Sequence, residues 1–335
     1  MNYPKKVSIG DITVRDGFQH EEKYIPVEAK IWLAEQLILS GFKKIELTNF
    51  GNPKGMPQFK DSDALMKGIR SSKQVQEAIK DVEITAVTIR ERAIERAIEA
   101  KKEGWGPDRI LLMVSTSEAH HKKNSGLSLA DYWKMSEEWI KKANDVGIKV
   151  NGTVSTIWGC PITGPTEMSK AVEFSQRWLD IGASDVEHAD HDGSASPDRV
   201  YKYFSMLMDA IPDPSKHIVH FHTTRGWGLA NVLAALQAGM THYEATLGGI
   251  GGQPANFVDG VPVSGTGSYY YKDPSAVGLI TMEDMVVMMD EMGIDTGLDI
   301  DRVLKTGEMV ERIVGRKLRS ETINMGRIPK SLSGR

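Results

Sequence analysis

Short apolar, β-rich runs alternate with amphipathic helical stretches along almost the whole chain, and this alternation restricts the fold more than any other feature. Eight runs read as strands: Val7–Thr13, Lys44–Thr48, Glu83–Thr88, Arg109–Ser115, Lys149–Ser155, Asp185–His191, Ile218–Thr223 and Tyr243–Leu247. Between them lie helical patterns such as PVEAKIWLAEQLILSG, LADYWKMSEEWIKKANDVG and GLANVLAALQAG. Several end on a glycine (Gly41, Gly147, Gly182, Gly239), the residue that takes up the left-handed helix-end conformation most cheaply. Strands that alternate with helices specify a parallel sheet with crossover connections, and eight of them favour closure. The expected fold class is therefore α/β, a (β/α)8 TIM barrel. A doubly wound open sheet is the runner-up, but its glycine fingerprint is missing after the first strand, where the turn reads TVRDGFQ.

A chain of 335 residues suits one such barrel, and no linker marks a second globular domain. We expect residues 1–295 to form the barrel. Residues 296–335 should form a helical extension packed on it, built around DIDRVLKTGEMVERIVGRKLRSE, with a mobile tail of about a dozen residues. One segment breaks the rhythm: Gly248 to Gly278 is a long, irregular, glycine-rich stretch after strand eight, and loops of that length are usually functional lids or disordered. Its cluster Tyr269-Tyr270-Tyr271 suggests an ordered loop that folds over something. A net charge of −4 offers no basic field for nucleic acid. A single cysteine, Cys160, excludes a disulfide framework and a cysteine-rich zinc site. The N-terminal residues carry no apolar leader and no run approaches a membrane span, so no membrane partner is expected and the cytoplasm is the expected location.

Barrel chemistry collects at the C-terminal strand ends. There strand one offers Arg15 and Asp16, strand two Glu46 and Thr48, strand six Glu187, His188, Asp190, His191 and Asp192, and strand seven His220 and His222. Two histidines at i and i+2 face the same way on a strand. Alone they are more often a hydrogen-bonded pair than a metal site. Barrel closure brings strand one beside strands seven and eight, however, so Asp16 faces His220 and His222 across the mouth. One carboxylate with two imidazoles suits a divalent cation such as Mg²⁺ or Mn²⁺. Arg15 is either the structural partner of that carboxylate or a fixed cation aimed at a developing oxyanion. On strand six, alternation places Glu187, Ala189 and His191 on one face and His188, Asp190 and Asp192 on the other, without saying which faces inward.

DITVRDGFQHEEK resembles the opening signature of the 3-hydroxy-3-methylglutaryl-CoA lyases and of the wider DRE-TIM metallolyase group. That group includes isopropylmalate and homocitrate synthases and the pyruvate carboxylase carboxyltransferase domain. IELTNFGNPKGMPQFKD, STSEAHHKKN, TVSTIWGCP and HFHTTRGWGLANVLAALQAG are similar to the lyases in particular, in the same order from about Val7 to Lys317. The resemblance implies a TIM barrel whose metal is held by Asp16, His220 and His222. It implies an enolate-stabilising role for Arg15, an acidic group near the metal in Glu46, and another in Asp190, which points to the inward set on strand six. Arg316 and Lys317 match, more weakly, a basic contact to coenzyme A. Two departures stand out. The lyases carry a proton-transferring cysteine in the loop after strand eight, where this chain has Gln253, and Cys160 matches a different Gly-Cys-Pro. An insertion displaces the asparagine ligand of the lyases, while the synthase register would make Asn256 a fourth ligand.

The expected activity is a divalent-metal-dependent carbon–carbon lyase cleaving a 3-hydroxyacyl-CoA of the hydroxymethylglutaryl-CoA type into an acyl-CoA and a keto product. Glutamine is neither acid nor base near neutrality. The enolate proton would therefore come from His188, His191 or a metal-bound water. An acyl-CoA is the expected partner, and a homo-oligomer, a dimer, the expected assembly. Three rivals stand beside this reading: a synthase condensing an acyl-CoA with a 2-oxo acid, a metal-retaining binding protein without turnover, and a metal-free barrel using GGIGG as a phosphate cradle. The last leaves Asp16 and the histidine pair unexplained.

Overall fold

The computed structural model describes residues 3–19, 21–160, 162–252 and 277–329, together with the backbone of 257–258 and 261–262. Eight parallel strands close into a barrel in simple sequence order: β1 (Ser8–Asp11), β2 (Lys44–Asn49), β3 (Glu83–Val87), β4 (Arg109–Ser115), β5 (Lys149–Ser155), β6 (Asp185–Asp190), β7 (His217–Phe221) and β8 (His242–Ala245). β8 pairs with β1 from Ser8–His242 to Asp11–Ala245, which shuts the barrel. The expected barrel is therefore found, with every expected strand in place.

Helices α1 (Val27–Leu39), α2 (Ser62–Arg70), α3 (Glu91–Lys102), α4 (Glu118–Ser125), α5 (Leu129–Asn144), α6 (Met168–Asp180), α7 (Pro197–Ala210), α8 (Gly228–Gln237) and α9 (Met282–Glu291) follow the strands. α7 shows why they dock. Proline at its first position is preset for a helix start, and Val200, Tyr203, Phe204 and Leu207 form one buried stripe at i, i+3, i+4 and i+7. Each such side chain taken from water contributes roughly 1.5–3 kcal/mol. Phe204 meets Phe221 of β7 with ring centroids 6.2 Å apart, so the stripe seals the outer face of the sheet.

Inside the barrel the N-terminal layer is ionic. Arg109 reaches Asp185 and Glu83, and Asn151 Nδ2 donates to Asp185 at 2.7 Å. Burial opposes the charge on Arg109, but the two carboxylates outweigh it and hold the guanidinium firmly protonated. This plug leaves a cavity of only about 30 Å³. The functional end is the opposite one.

Beyond the barrel, α10 (Ile300–Val314) packs on α1 and α9, and α11 (Glu321–Met325) follows. The stretch from Gly248 to Gly278, expected to be an irregular loop, contains a two-residue antiparallel pair, Phe257–Val258 with Val261–Pro262. Tyr269–Tyr271 and the tail from residue 330, expected to be mobile, lie outside the described residues. No helix among the described residues is long and apolar enough to cross a membrane.

Candidate metal and active site

β1 stops at Asp11 rather than running to Thr13. The Asp11 carboxylate accepts from Thr13 N and from Thr13 Oγ1, both at 2.8 Å, and turns the chain out of the sheet. A single π-helical turn over Thr13–Gly17 follows, a local form frequent at functional sites. In a continued strand Arg15 and Asp16 would point to opposite faces. In the π turn both join one ion-pair cluster, with Arg15 Nη1 at 3.4 Å from Asp16 Oδ2. Arg15 Nε also donates to Glu46 of β2, and Nη1 to Gln19 Oε1 at 3.2 Å. Burial disfavours the guanidinium charge, but Glu46 and Asp16 more than offset it, so Arg15 is a permanent cation. Burial likewise works to raise the Asp16 carboxyl, yet Arg15, His220 and His222 hold it below the ordinary carboxylate range.

His220 lies on β7 and His222 one residue beyond its end, and their Nε2 atoms are 3.1 Å apart. His220 Nδ1 is 2.5 Å from Glu244 Oε1 of β8 and 3.8 Å from Glu187 Oε1 of β6. Glu187, His220 and Glu244 each offer a ligand atom within 4.8 Å of the others. Burial first, and then repulsion by Glu244 for Glu187 and by Glu46 for Glu244, pushes both carboxyls well above the usual range, so this inner pair carries protons more readily than Asp16. Glu244 was not singled out from the sequence. The sequence shows only a lone acidic residue in HYEA, and its place beside His220 and Gly10 comes from the strand register.

Strand six corrects the expected inward set. The ladder pairs Glu187 with Ile218 and Ala189 with His220, so Glu187, not His188 or Asp190, shares the face of His220. His188 points instead into the helix layer. Its Nδ1 lies 2.8 Å from Tyr203 Oη and its Nε2 lies 3.1 Å from His217 Nδ1. Burial and His217 keep it neutral. The structure thus removes His188 from the expected set of proton donors. Asp190 accepts from Ser194 N at 3.0 Å and Ala195 N at 3.2 Å, fixing the loop into α7. Burial and the neighbouring Asp192 raise its carboxyl to about 7. A register shift in β2 between Glu46 and Thr48 turns Thr48 to Ser62 of α2, 2.7 Å away, while Glu46 stays with Arg15.

His191 does reach the mouth. Its ring centroid is 6.2 Å from that of His222 and 4.6 Å from that of His120 in α4. The loop after β8 closes over Asp16, with Gly252 N at 3.3 Å from Asp16 Oδ1. Gln253 and Asn256 lie outside the described residues. Arg316 and Lys317 follow α10 in a strap that crosses this loop: Arg319 N donates to Gly248 O at 3.3 Å, and Arg316 reaches Glu21 at 2.5 Å. Both basic groups stand exposed beside an open cleft of about 490 Å³.

Residues 6–310 match the HMGL-like family model. The chain is 29% identical to the hydroxymethylglutaryl-CoA lyase YngG of Bacillus subtilis, over 97% of this chain and 99% of that one. It is 30% identical to the cytoplasmic 3-hydroxy-3-methylglutaryl-CoA lyase of Mus musculus, over 95% of this chain and 84% of that one. Its fold is similar to that of an HMG-CoA lyase from Acinetobacter baumannii in complex with coenzyme A and 3-methylmalate, with a TM-score of 0.83, 28% identity and 98% of both chains covered. With most of its length matched and its barrel shared, the chain belongs to the HMGL-like family.

Proposed function

We propose that this protein is a divalent-metal-dependent carbon–carbon lyase acting on 3-hydroxyacyl-CoA esters of the hydroxymethylglutaryl type. The observation that carries the reading is the pair of imidazole Nε2 atoms 3.1 Å apart, whose rings join the fixed Arg15 in holding Asp16 ionised. Those donors fit a cation such as Mg²⁺ or Mn²⁺. His220 commits Nδ1 to Glu244, which leaves Nε2 to ligate, and His222 Nδ1 has no hydrogen-bonding partner among the described residues. Asp16, His220 and His222 would hold the ion, with Asn256 carried as a fourth ligand from the family resemblance alone. Such an ion supplies Lewis acidity, lowering the pKa of the substrate hydroxyl and favouring its alkoxide.

The chain's own groups then account for the remaining demands of a retro-aldol step. The hydroxyl oxygen passes its proton to His191, which burial keeps neutral, and becomes the ketone oxygen, while the adjacent carbon–carbon pair moves onto the thioester as an enolate. Arg15, held by Glu46, places a permanent positive charge against that enolate oxygen. Of the two strand-six histidines, His191 is the one at the mouth, and we assign it the proton returned to the enolate carbon. The coenzyme A portion lies along Arg316 and Lys317. Cytoplasmic placement and a homodimer complete the reading.

The test is turnover of hydroxymethylglutaryl-CoA and of esters differing at the acyl terminus, with EDTA-stripped and Mn²⁺-loaded protein. Metal-dependent release of an acyl-CoA, lost in Arg15→Met and sharply reduced in His191→Phe, is expected. An Mn²⁺-loaded protein that cleaves none of the esters refutes the reading.

A further inference from the structure

β4 and β5 end on Ser115 and Ser155, ladder partners on the same face as Leu111 and Asn151, which line the barrel interior. Above them His120 is fully buried in the first turn of α4. Ser155 Oγ donates to Val114 O at 3.2 Å, Ser115 Oγ lies 2.8 Å from Ser155 Oγ, and His120 Nδ1 lies 2.6 Å from Ser115 Oγ. One proton assignment satisfies all three contacts. The Ser155 proton is committed to a carbonyl, so Ser115 must donate to Ser155. His120 must then donate from Nδ1–H to Ser115. The ring is therefore the Nδ1–H tautomer, and Nε2 is a bare acceptor. Burial, and then His191, hold the imidazole neutral, with its pKa pushed down to about 2. That Nε2 is buried and has no hydrogen-bonding partner among the described residues. A buried acceptor in that condition costs about 1–3 kcal/mol until a donor reaches it.

Topology says which part of a ligand arrives there. β4 and β5 lie across the barrel from β8 and β1. The Arg316–Lys317 strap sits on the β8 side, over Gly248. The rings of His222, His191 and His120 run in that order from the proposed metal ligands to the β4–β5 rim. A substrate whose thioester enters from the strap turns the far end of its acyl group toward His120.

We propose that His120 is a specificity-determining residue whose Nε2 accepts a hydrogen bond from the acyl end remote from coenzyme A. The favoured substrates are then 3-hydroxyacyl-CoA esters bearing a donor there, a hydroxyl or an amide N–H, in preference to a carboxylate. This rests on the lyase reading above and narrows it. Three esters test it with Mn²⁺-loaded protein: hydroxymethylglutaryl-CoA, its terminal alcohol, and its terminal-methyl analogue. The wild type should favour the alcohol over the methyl ester in kcat/KM by roughly tenfold, the value of one net hydrogen bond near the top of its range. His120→Phe keeps a ring without the lone pair and should bring the two esters level by losing activity on the alcohol alone. Ser115→Ala leaves the ring in place but releases Nδ1. It lets the other tautomer form, so the preference should narrow, and it serves if the phenylalanine variant does not fold. An unchanged preference in these variants, or an equal loss on all three esters, overturns the assignment while the lyase reading stands. No cleavage of any ester overturns both.

Discussion

Gly251→Ala tests how the loop after β8 is tied to Asp16. Gly251 has φ +86°, and a Cβ built on it would lie 2.5 Å from Asp16 O and 2.8 Å from Asp16 C. The left-handed backbone alone costs a non-glycine residue about 1–2 kcal/mol, and overpacking against backbone adds about 1–3 kcal/mol. Loss of about 2–5 kcal/mol in stability is therefore expected. Gly147→Ala is the matched control, because φ is +75° there and nothing lies within 4 Å of the added atom. It should cost only the backbone share, about 1–2 kcal/mol. The functional contrast is larger. Relief of the clash must move the Asp16 segment or the Gly251–Gly252 loop that hydrogen-bonds it, and displacement of a reacting constellation by about 1 Å is worth on the order of 10²-fold in rate. Urea unfolding, Mn²⁺ titration and turnover on both variants make the comparison. If Gly251→Ala matches Gly147→Ala in all three, the loop does not position Asp16 and the reasoning is wrong.

Four further outcomes follow from the same geometry. Arg109→Met leaves Asp185 and Glu83 buried without their cation and should destabilise the barrel by about 3–5 kcal/mol in urea, with little change in Mn²⁺ affinity. Glu283 is buried beneath Gly248 N, which donates to it at 2.8 Å, and burial raises its carboxyl to about 8. The folded state then holds a proton that the unfolded chain releases near its ordinary 4.5, so this contribution is complete below that pH and is lost as pH rises to about 8. The slope is at most about 1.4 kcal/mol per pH unit, and Glu283→Gln should flatten it in unfolding midpoints. Asp11, raised by burial to about 7, leaves a residual slope of the same sign. Glu244→Gln loosens the orientation of His220 and should weaken Mn²⁺ binding by about 10–100-fold in calorimetry. His188→Phe leaves Tyr203 and His217 without their partner; it should cost about 1–3 kcal/mol of stability and leave kcat within a factor of about two.

The barrel was legible because strand and helix periods differ and each is repeated eight times. The pairing of His220 and His222 was legible for the same reason, a period of two. What the sequence hid was orientation set by distant partners. On β6 the alternation offered two faces, and the choice depends on His188 meeting Tyr203 and His217, residues far along the chain. The β2 register shift that separates Glu46 from Thr48 breaks the period that would have announced it. The π turn of Thr13–Gly17 is silent for another reason: the Asp11 contact to Thr13 is local but leaves no periodic mark in the sequence. His120 sat in view within STSEAHHKKN, but only the ladder pairing of Ser115 with Ser155 gives its ring a tautomer.

The central claim is that Asp16, His220 and His222 hold a divalent cation. Mn²⁺ titrated into EDTA-stripped protein, followed by electron paramagnetic resonance, tests it most directly in the wild type, Asp16→Ala, His222→Ala and the double variant Glu187→Gln/Glu244→Gln. One cation per chain is expected, lost in Asp16→Ala and His222→Ala and only weakened in the double variant. Binding that survives both single substitutions and vanishes in the double variant would contradict it, and would place the ion on the inner carboxylates instead.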